Sequence, residues 1–425
     1  MRFQLALLFA VWLAALDLSA HPMPYSVMLL EIKGNGIAAG LQMPLKELQL
    51  VFPDEDIDRA HATLLQRKGA WLDHYLLQHL SVADTAGQPW AITIKGKTIR
   101  EDEQDLTGKY HELIFDLWLQ APAGASPRQF RMRYDAIMHQ VVTHKMLIRI
   151  RQDWEGGMIS EGGESSEVGM LGVNTADNTI PPVIVNLDEG SAWKGFRAMV
   201  SLGMEHIAEG TDHLLFLLVL LLPAPLIAER KRWTVFGGTR YSVIRLVKIA
   251  TAFTVGHSVS LLFGALNWLV LPQKPVEVAI AMTILVTAIH AIRPLFYGRE
   301  VFIAAGFGLI HGLAFATVLS DLDLDAGKMA LSILGFNIGI ELMQLFAILC
   351  VVPWLIVLSK NNMYRRLRIS GAAVAIVASL AWAAERITEQ PNGVSSAIQA
   401  AADQSKWLLL GLVCFSIISA FTGKT

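Results

Sequence analysis

The stretch that says most about the fold class of this chain reads Gly203-Met204-Glu205-His206-Ile207-Ala208-Glu209-Gly210-Thr211-Asp212-His213. It lies inside residues 196–222, which are apolar enough and long enough to span a bilayer, a distance that takes about 20 helical residues. Charged groups at the centre of a membrane cost roughly 2.5 to 3.5 kcal/mol each, so they need partners in a bundle interior or in an aqueous cavity. In one continuous helix, at about 100° per residue, all the ionisable side chains of the stretch share one third of the circumference. The stretch therefore predicts a membrane bundle with a polar interior.

Further apolar segments of similar length follow, so the sequence predicts a polytopic α-helical bundle of six or seven spans over residues 196–425. The later segments lie near residues 246–271, 276–295, 301–319, 329–358, 368–384 and 406–422. The hydrophobic fraction of 53% exceeds the 45 to 50% usual in soluble domains, and only 17% of residues are charged where about 25% is typical. Membrane lipid is thus an expected partner.

Composition also excludes several classes of protein. A formal net charge of −2 excludes a basic nucleic-acid-binding protein, so no nucleic-acid partner is expected. Both cysteines, Cys350 and Cys414, lie in apolar runs, which excludes a disulfide scaffold. The chain has no phosphate-binding loop of the GxxxxGK[ST] type, so it does not encode an ATP-driven pump by itself.

The residues before the first span predict an exported domain. Residues 1–20 have the charged start, apolar core and small terminal residues of a signal peptide. Between residues 21 and 185 apolar residues often alternate with polar ones, which is typical of strands, except for a helical pattern over 57–80. We expect a β-rich domain, arranged as an antiparallel sandwich, that ends in a Gly/Ser/Glu-rich linker over 155–172. The overall fold class is mixed, with this domain preceding the helical bundle.

Positive charge predicts the orientation of the bundle. The predicted inner segments hold twelve Lys and Arg residues, whereas the outer loops between spans hold four. The positive-inside rule then places the N-terminal domain in the periplasm or outside the cell and the C-terminus in the cytoplasm. The expected location is a bacterial-type inner (plasma) membrane.

Several of the predicted spans carry residues suited to a metal ion. His257 lies in the second span and His311 in the fourth, at a depth similar to that of His206, Asp212 and His213. Imidazole nitrogens and carboxylate oxygens are the ligands that Ni, Zn, Co and Cu divalent ions prefer. Asn337, Glu341 and Gln344 in the fifth span share one helical face. Glycines in the spans, such as Gly203, Gly256, Gly308 and Gly339, predict close helix packing.

Two motifs carry a resemblance to a known family. His206 is followed after five residues by Asp212-His213, and residues 307–315 read Phe-Gly-Leu-Ile-His-Gly-Leu-Ala-Phe. Over residues 196–384 the chain resembles the HupE/UreJ family of membrane proteins. Ile207 replaces the proline of shorter members, and the large exported domain is typical of a longer variant.

The resemblance implies nickel or cobalt uptake for hydrogenase and urease maturation. It implies that the following residues handle the metal: His206, Asp212, His213, His257 and His311. The predicted function is therefore a divalent-metal permease whose midplane His/Asp site binds nickel or cobalt. Glu209 and Glu341 would support the ligands or carry protons, and Asn337 and Gln344 would extend a polar path. The expected partners are the metal ion and a metalloenzyme maturation system.

Two other functions remain open at the level of sequence. An intramembrane hydrolase would use the same His/Asp/Glu cluster to hold a catalytic zinc ion. A metal sensor or assembly protein would instead use the exported domain as its working part. Within that domain, His139 and His144 are five residues apart in a strand-like region, so an ideal strand would send their imidazoles to opposite faces.

Overall fold

The computed structural model describes residues 25–104, 108–159, 165–266, 268–269, 271–320, 322, 324–361 and 363–422. The predicted signal peptide lies outside these residues. The described residues form two compact units. The first contains those up to Asp153 and those of Gly163–Glu189, and the second contains those of Trp154–Gly162 and all from Gly190 onward.

The first unit is rich in strands, which confirms the predicted β-rich domain. Its described strands are β1 (Ser26–Ile32), β2 (Gly36–Pro44), β3 (Leu80–Ala83), β4 (Ala91–Gln104), β5 (Gly108–Gln120), β6 (Gln129–Tyr134), β7 (Lys145–Asp153), β8 (Ser166–Gly172) and β9 (Val183–Asn186). Its described helices are α1 (Leu45–Val51) and α2 (His61–His79), the second within the predicted helical pattern. The strands form a six-stranded sheet of order β4-β5-β2-β1-β7-β8 and a three-stranded sheet of order β3-β6-β9.

The larger sheet is not purely antiparallel, so this part of the prediction is wrong. β1 pairs antiparallel with β2 but parallel with β7, in a register that sets Met28 beside Ile148 and Leu30 beside Ile150. All four side chains are buried, so this register brings the apolar faces of the two strands together. The predicted linker also differs, because Ser166–Gly172 forms β8 and pairs with β7.

The second unit is helical, which confirms the predicted bundle. Its described helices are α3 (Ala192–Glu209), α4 (Thr211–Leu221), α5 (Thr239–Ala265), α6 (Gln273–Ile292), α7 (Glu300–Ser320), α8 (Ala326–Leu358), α9 (Met363–Thr388), α10 (Gly393–Ala402) and α11 (Ser405–Thr422). A short hairpin, β10 (Leu226–Glu229) and β11 (Arg232–Phe236), joins α4 to α5.

Fewer helices than predicted meet the requirements of a full membrane span. Within the described residues, α5, α6, α8 and α9 are long and apolar enough to cross a membrane. The pair α10 and α11, bent by 69°, adds a fifth if it is one span. The prediction of six or seven spans counted α3 and α4 as one span and also included α7, whereas the apolar helices Thr211–Leu221 and Glu300–Phe315 are shorter than a full span.

The first predicted span is not one helix, because the helix is interrupted at Gly210. This residue has an extended backbone (φ −68°, ψ 93°) and ends α3 with an N–H that donates to the carbonyl of His206 at 3.1 Å. A Cβ atom at Gly210 would lie 2.6 Å from that carbonyl oxygen, so no side chain fits there. The ionisable stretch therefore comes from two helices rather than from one stripe.

Glycines bring the helices into backbone contact, as the sequence predicted. A Cβ atom on Gly203 of α3 would lie 2.1 Å from the carbonyl oxygen of Phe336 in α8. A Cβ atom on Gly308 of α7 would lie 2.0 Å from the carbonyl oxygen of Phe253 in α5. Because side chains are excluded at these crossings, the backbones that carry the candidate histidines are held close together.

Candidate metal centre

Three histidines from three helices meet inside the second unit. Each of His206 on α3, His213 on α4 and His257 on α5 offers a ring nitrogen, and these three nitrogens lie within 4.8 Å of one another. The ring centroids of His206 and His213 are 4.7 Å apart, and those of His206 and His257 are 6.1 Å apart. His257 is fully buried and His213 is 7% exposed. The three nitrogens are therefore close enough together for this group to hold a metal ion.

Asp212 fixes the orientation of the His213 ring. Its Oδ1 atom accepts a hydrogen bond from the backbone N–H of His213 at 2.9 Å and lies 2.9 Å from the His213 Nδ1 atom. An ionised carboxylate only accepts hydrogen bonds, so Nδ1 carries the proton and Nε2 is the nitrogen with a lone pair. A carboxylate behind a histidine is the usual support of a metal-ligating imidazole.

His311 on α7 lies beside this group. Its ring centroid is 4.8 Å from that of His213, and its Nε2 atom is 2.9 Å from the hydroxyl oxygen of Thr283. That hydroxyl donates its own hydrogen to the carbonyl of Ile280 at 2.7 Å, so it accepts from His311. Nδ1 of His311 therefore has the lone pair, and this buried atom has no hydrogen-bond partner among the described residues.

The supporting residues predicted on α8 face α5. Glu341 accepts hydrogen bonds from the hydroxyls of Thr251 and Thr254, each at 2.7 Å. The Thr254 hydroxyl also lies 3.4 Å from Oε1 of Gln344. Asn337 donates to the carbonyl of Ile333 at 2.7 Å. A polar row thus runs along the α5–α8 contact, from the level of His257 toward the N-terminal end of α5.

Apolar packing ends this row. The next buried residues along α8 are Ile348, Val352 and Leu355, which belong to one hydrophobic cluster. Leu246 and Ala250 of α5 belong to the same cluster. A largely apolar cluster therefore lies beyond the polar row at this end of the bundle.

A cavity reaches the histidines from the other end of the bundle. It has a volume of about 490 Å³, and its lining includes His206, Glu209, Asp212, His213, Glu277 and Arg386. Nε of Arg386 lies 3.0 Å from Oε2 of Glu277, so an ion pair forms part of its wall. Glu209 is exposed. The sequence did not single out Glu277 or Arg386, because a charge near the end of a span resembles an ordinary loop charge.

Three other histidines, His139, His144 and His290, lie away from the group. Nδ1 of His290, at the end of α6, accepts the backbone N–H of Leu295 at 3.0 Å, so this ring stabilises a loop. In the first unit, His144 is buried between Ser26, whose Oγ lies 2.9 Å from its Nε2, and Glu47. His139 instead stacks on His79, with ring centroids 4.5 Å apart. The two imidazoles thus have different neighbours.

Comparison with known proteins identifies the helical part. No curated protein and no solved structure matches the chain. Residues 184–386, just under half of the chain, match the family model described as HupE / UreJ protein. This range contains all of the candidate metal-handling residues, from His206 to Gln344. Members of that family are generally nickel or cobalt transporters. The resemblance seen in the sequence is therefore confirmed: residues 184–386 of this membrane protein are similar to the HupE/UreJ family.

Proposed function

We propose that this protein is a divalent transition-metal permease and that nickel or cobalt is its cargo. The observation that carries the proposal is the convergence of His206, His213 and His257 from three helices within 4.8 Å. Ionisable side chains are rare inside membrane bundles and usually mark functional sites. Imidazole is also a preferred ligand of these ions. The HupE/UreJ domain match over the same residues supports this function.

The cargo would approach through the cavity and bind at the histidines. Glu209 and Asp212 in the cavity lining offer negative charge that attracts a dication. Ligation needs neutral imidazoles and ionised carboxylates, so protonation of the site releases the ion. Glu341, held by two threonine hydroxyls on the far side of His257, accepts or relays that proton.

The closed apolar end fits a transporter that opens one side at a time. In the present arrangement the cavity opens at the end of the bundle where α3 and α9 finish, and the cluster around Ile348 and Val352 blocks the other end. Passage requires a second state in which this cluster separates and the polar row beside Glu341 is hydrated.

The permease would lie in a bacterial-type inner membrane, with the first unit periplasmic or extracellular and the C-terminus cytoplasmic. The excess of Lys and Arg in the predicted inner segments, twelve against four, supports this orientation. The imported ion would then be supplied to a metalloenzyme maturation system.

Elemental analysis of the purified, detergent-solubilised protein tests the metal site. The wild-type chain should hold nickel or cobalt in a fixed ratio after loading. The His206→Ala/His213→Ala variant should lose that ion while still inserting into the membrane. An unchanged metal content in this variant would remove the basis of the proposal.

One observation favours a zinc-dependent intramembrane hydrolase as the second candidate. Glu209 lines the same cavity as His206 and His213, and a catalytic zinc site needs a glutamate beside three ligands and an open position. A tightly held zinc ion that never crosses the bilayer would support the hydrolase. The polar row between α5 and α8, which a hydrolase does not need, favours the permease.

A further inference from the structure

A basic cavity of about 600 Å³ lies in the second unit where α9 begins. Its walls come from the hairpin β10–β11, from the turn between α8 and α9, and from the first turns of α9. Four cationic side chains line it, those of Lys360, Arg365, Arg366 and Arg368. The described residues of its lining include no Asp or Glu. A concave site with this excess of positive charge attracts an anion.

Arg368 is the buried member of this group, with only 5% of its surface exposed. Its Nη1 atom donates to the carbonyls of Ala291 and Ile292 at the end of α6, the second at 3.1 Å. Its Nε atom has no hydrogen-bond partner among the described residues. Carbonyl groups orient a guanidinium but do not neutralise it, and a buried charge is costly unless it is paired. An anion in the cavity would supply the missing negative charge.

The walls of the cavity are held in place by hydrogen bonds to neighbouring helices. Nε1 of Trp233 in β11 donates to the carbonyl of His290 in α6 at 3.0 Å. Nδ2 of Asn361, in the turn after α8, donates to the carbonyl of Ser419 in α11 at 3.1 Å. A binding site whose walls are already fixed loses less freedom when a ligand enters, so its affinity is higher.

An exposed apolar strip continues from the cavity along α9. At 100° per residue, Arg366, Ala373, Val377 and Leu380 lie within about 60° of one another on this helix. All four are exposed, Val377 by 54% and Leu380 by 52%. The helix is long and apolar enough to cross a membrane, so the strip faces lipid. A cationic group followed by an apolar strip matches a molecule with an anionic head and a hydrocarbon chain.

We propose that this cavity binds the phosphate headgroup of an anionic phospholipid, such as phosphatidylglycerol, whose acyl chain lies along the strip on α9. Arginine suits this ligand, because its planar fork of N–H donors matches the oxygens of a phosphate. Basic pockets between membrane helices on the cytoplasmic side bind anionic headgroups, and the positive-inside pattern favours that side for Arg365 and Arg366. The bound lipid would connect the hairpin to α9. This inference does not depend on the proposed permease function.

Titration of the full-length protein in a neutral detergent with fluorescent phosphatidylglycerol and phosphatidylcholine tests the site. The wild type should bind phosphatidylglycerol at least about tenfold more tightly, since each Lys or Arg near a lipid surface contributes roughly a fivefold gain. Arg365→Gln/Arg366→Gln should lose this preference. The matched control is Arg293→Gln/Arg299→Gln, which removes two exposed arginines between α6 and α7 that are outside the described lining. This control should keep the preference.

Soluble phosphates separate a lipid site from a site for a free anion. Inorganic phosphate and glycerol phosphate should displace the labelled lipid only at concentrations far above that of the lipid, because they leave the apolar strip uncovered. Displacement at equal concentration would overturn the proposal in favour of a soluble phosphate ligand. A wild-type protein that binds both phospholipids equally would also overturn it, whatever the variants do.

Thermal unfolding gives an independent measurement of the same site. Phosphatidylglycerol should raise the melting temperature of the wild type by several degrees more than phosphatidylcholine does, because it binds the folded state. The Arg365→Gln/Arg366→Gln variant should melt like the wild type in phosphatidylcholine and gain nothing further from phosphatidylglycerol. An equal gain in this variant and in the wild type would contradict a headgroup site at these arginines.

Discussion

The Oδ1 atom of Asp212 lies 2.9 Å from the Nδ1 atom of His213, and this pair sets which nitrogen of His213 can bind a cation. The sequence suggested that both residues are ligands. The Oδ1 atom of Asp212 also accepts the His213 backbone N–H, so this candidate ligand orients the ring as well. The proposed metal centre then depends on Asp212 whether or not an oxygen of this residue contacts the ion.

Asp212→Ala should weaken nickel binding at the bundle site about 10- to 100-fold, because a ligating histidine loses its support. Asp212→Asn keeps an acceptor oxygen and should lose less affinity. Calorimetric titration of both variants measures the difference. Equal affinities in the wild type and in Asp212→Ala would show that the pair has no role in binding.

Gly308→Ala should destabilise the bundle, since its Cβ atom would lie 2.0 Å from the carbonyl oxygen of Phe253. Overpacking of this kind costs about 1 to 3 kcal/mol. The control is Gly306→Ala, two residues earlier on α7, where a Cβ atom meets nothing within 4 Å. Thermal unfolding in detergent should separate the two variants by several degrees. Identical melting temperatures would refute the close contact between α5 and α7.

Thr254→Val should slow metal flux without weakening binding at the histidines. The substitution removes the hydroxyl that donates to Glu341 at 2.7 Å and keeps the volume of the side chain. Hydrogen bonds to charged groups contribute about 1.5 to 3 kcal/mol, so a loss of about tenfold in rate is expected.

Thr388→Val is the matched control for Thr254→Val, because Thr388 is exposed and donates to a carbonyl of its own helix. Flux into proteoliposomes and nickel titration are compared for both variants. A Thr254→Val protein with wild-type flux would exclude the polar row as part of the route.

The ion pair in the cavity wall should give opposite effects when each partner is neutralised. Glu277→Gln leaves Arg386 as an uncompensated positive charge and should raise the apparent KM for nickel roughly two- to fivefold. Arg386→Gln should lower it. Initial uptake rates at low and high ionic strength measure both changes, which salt should reduce. A change in the same direction for both variants would contradict an electrostatic role for the pair.

The elements of this fold could be predicted better than their arrangement. The length of the apolar runs predicted most helices of the bundle. The alternation of apolar and polar residues predicted the strands, because both patterns are local in the sequence. The parallel pairing of β1 with β7 could not be predicted, since it joins Ser26 to Met146 across more than a hundred residues. The break at Gly210 was missed because an apolar count does not register a change in backbone direction.

The residues of the candidate site could likewise be predicted better than their arrangement. His206, His213, His257 and His311 were found from their type and depth in the sequence, but only the fold shows that the first three converge. Thr283 and Glu277 gave no such signal. A threonine in a helix usually bonds its own backbone, and its second role as acceptor for His311 depends on the packing of α6 against α7.

Nickel flux into proteoliposomes tests the central claim most directly. Vesicles containing the wild-type protein should accumulate nickel, whereas vesicles containing an equal amount of His213→Ala should accumulate none above empty vesicles. Normal uptake by His213→Ala would contradict the proposed metal route, as would a wild-type protein that holds its metal tightly and never carries it across the bilayer.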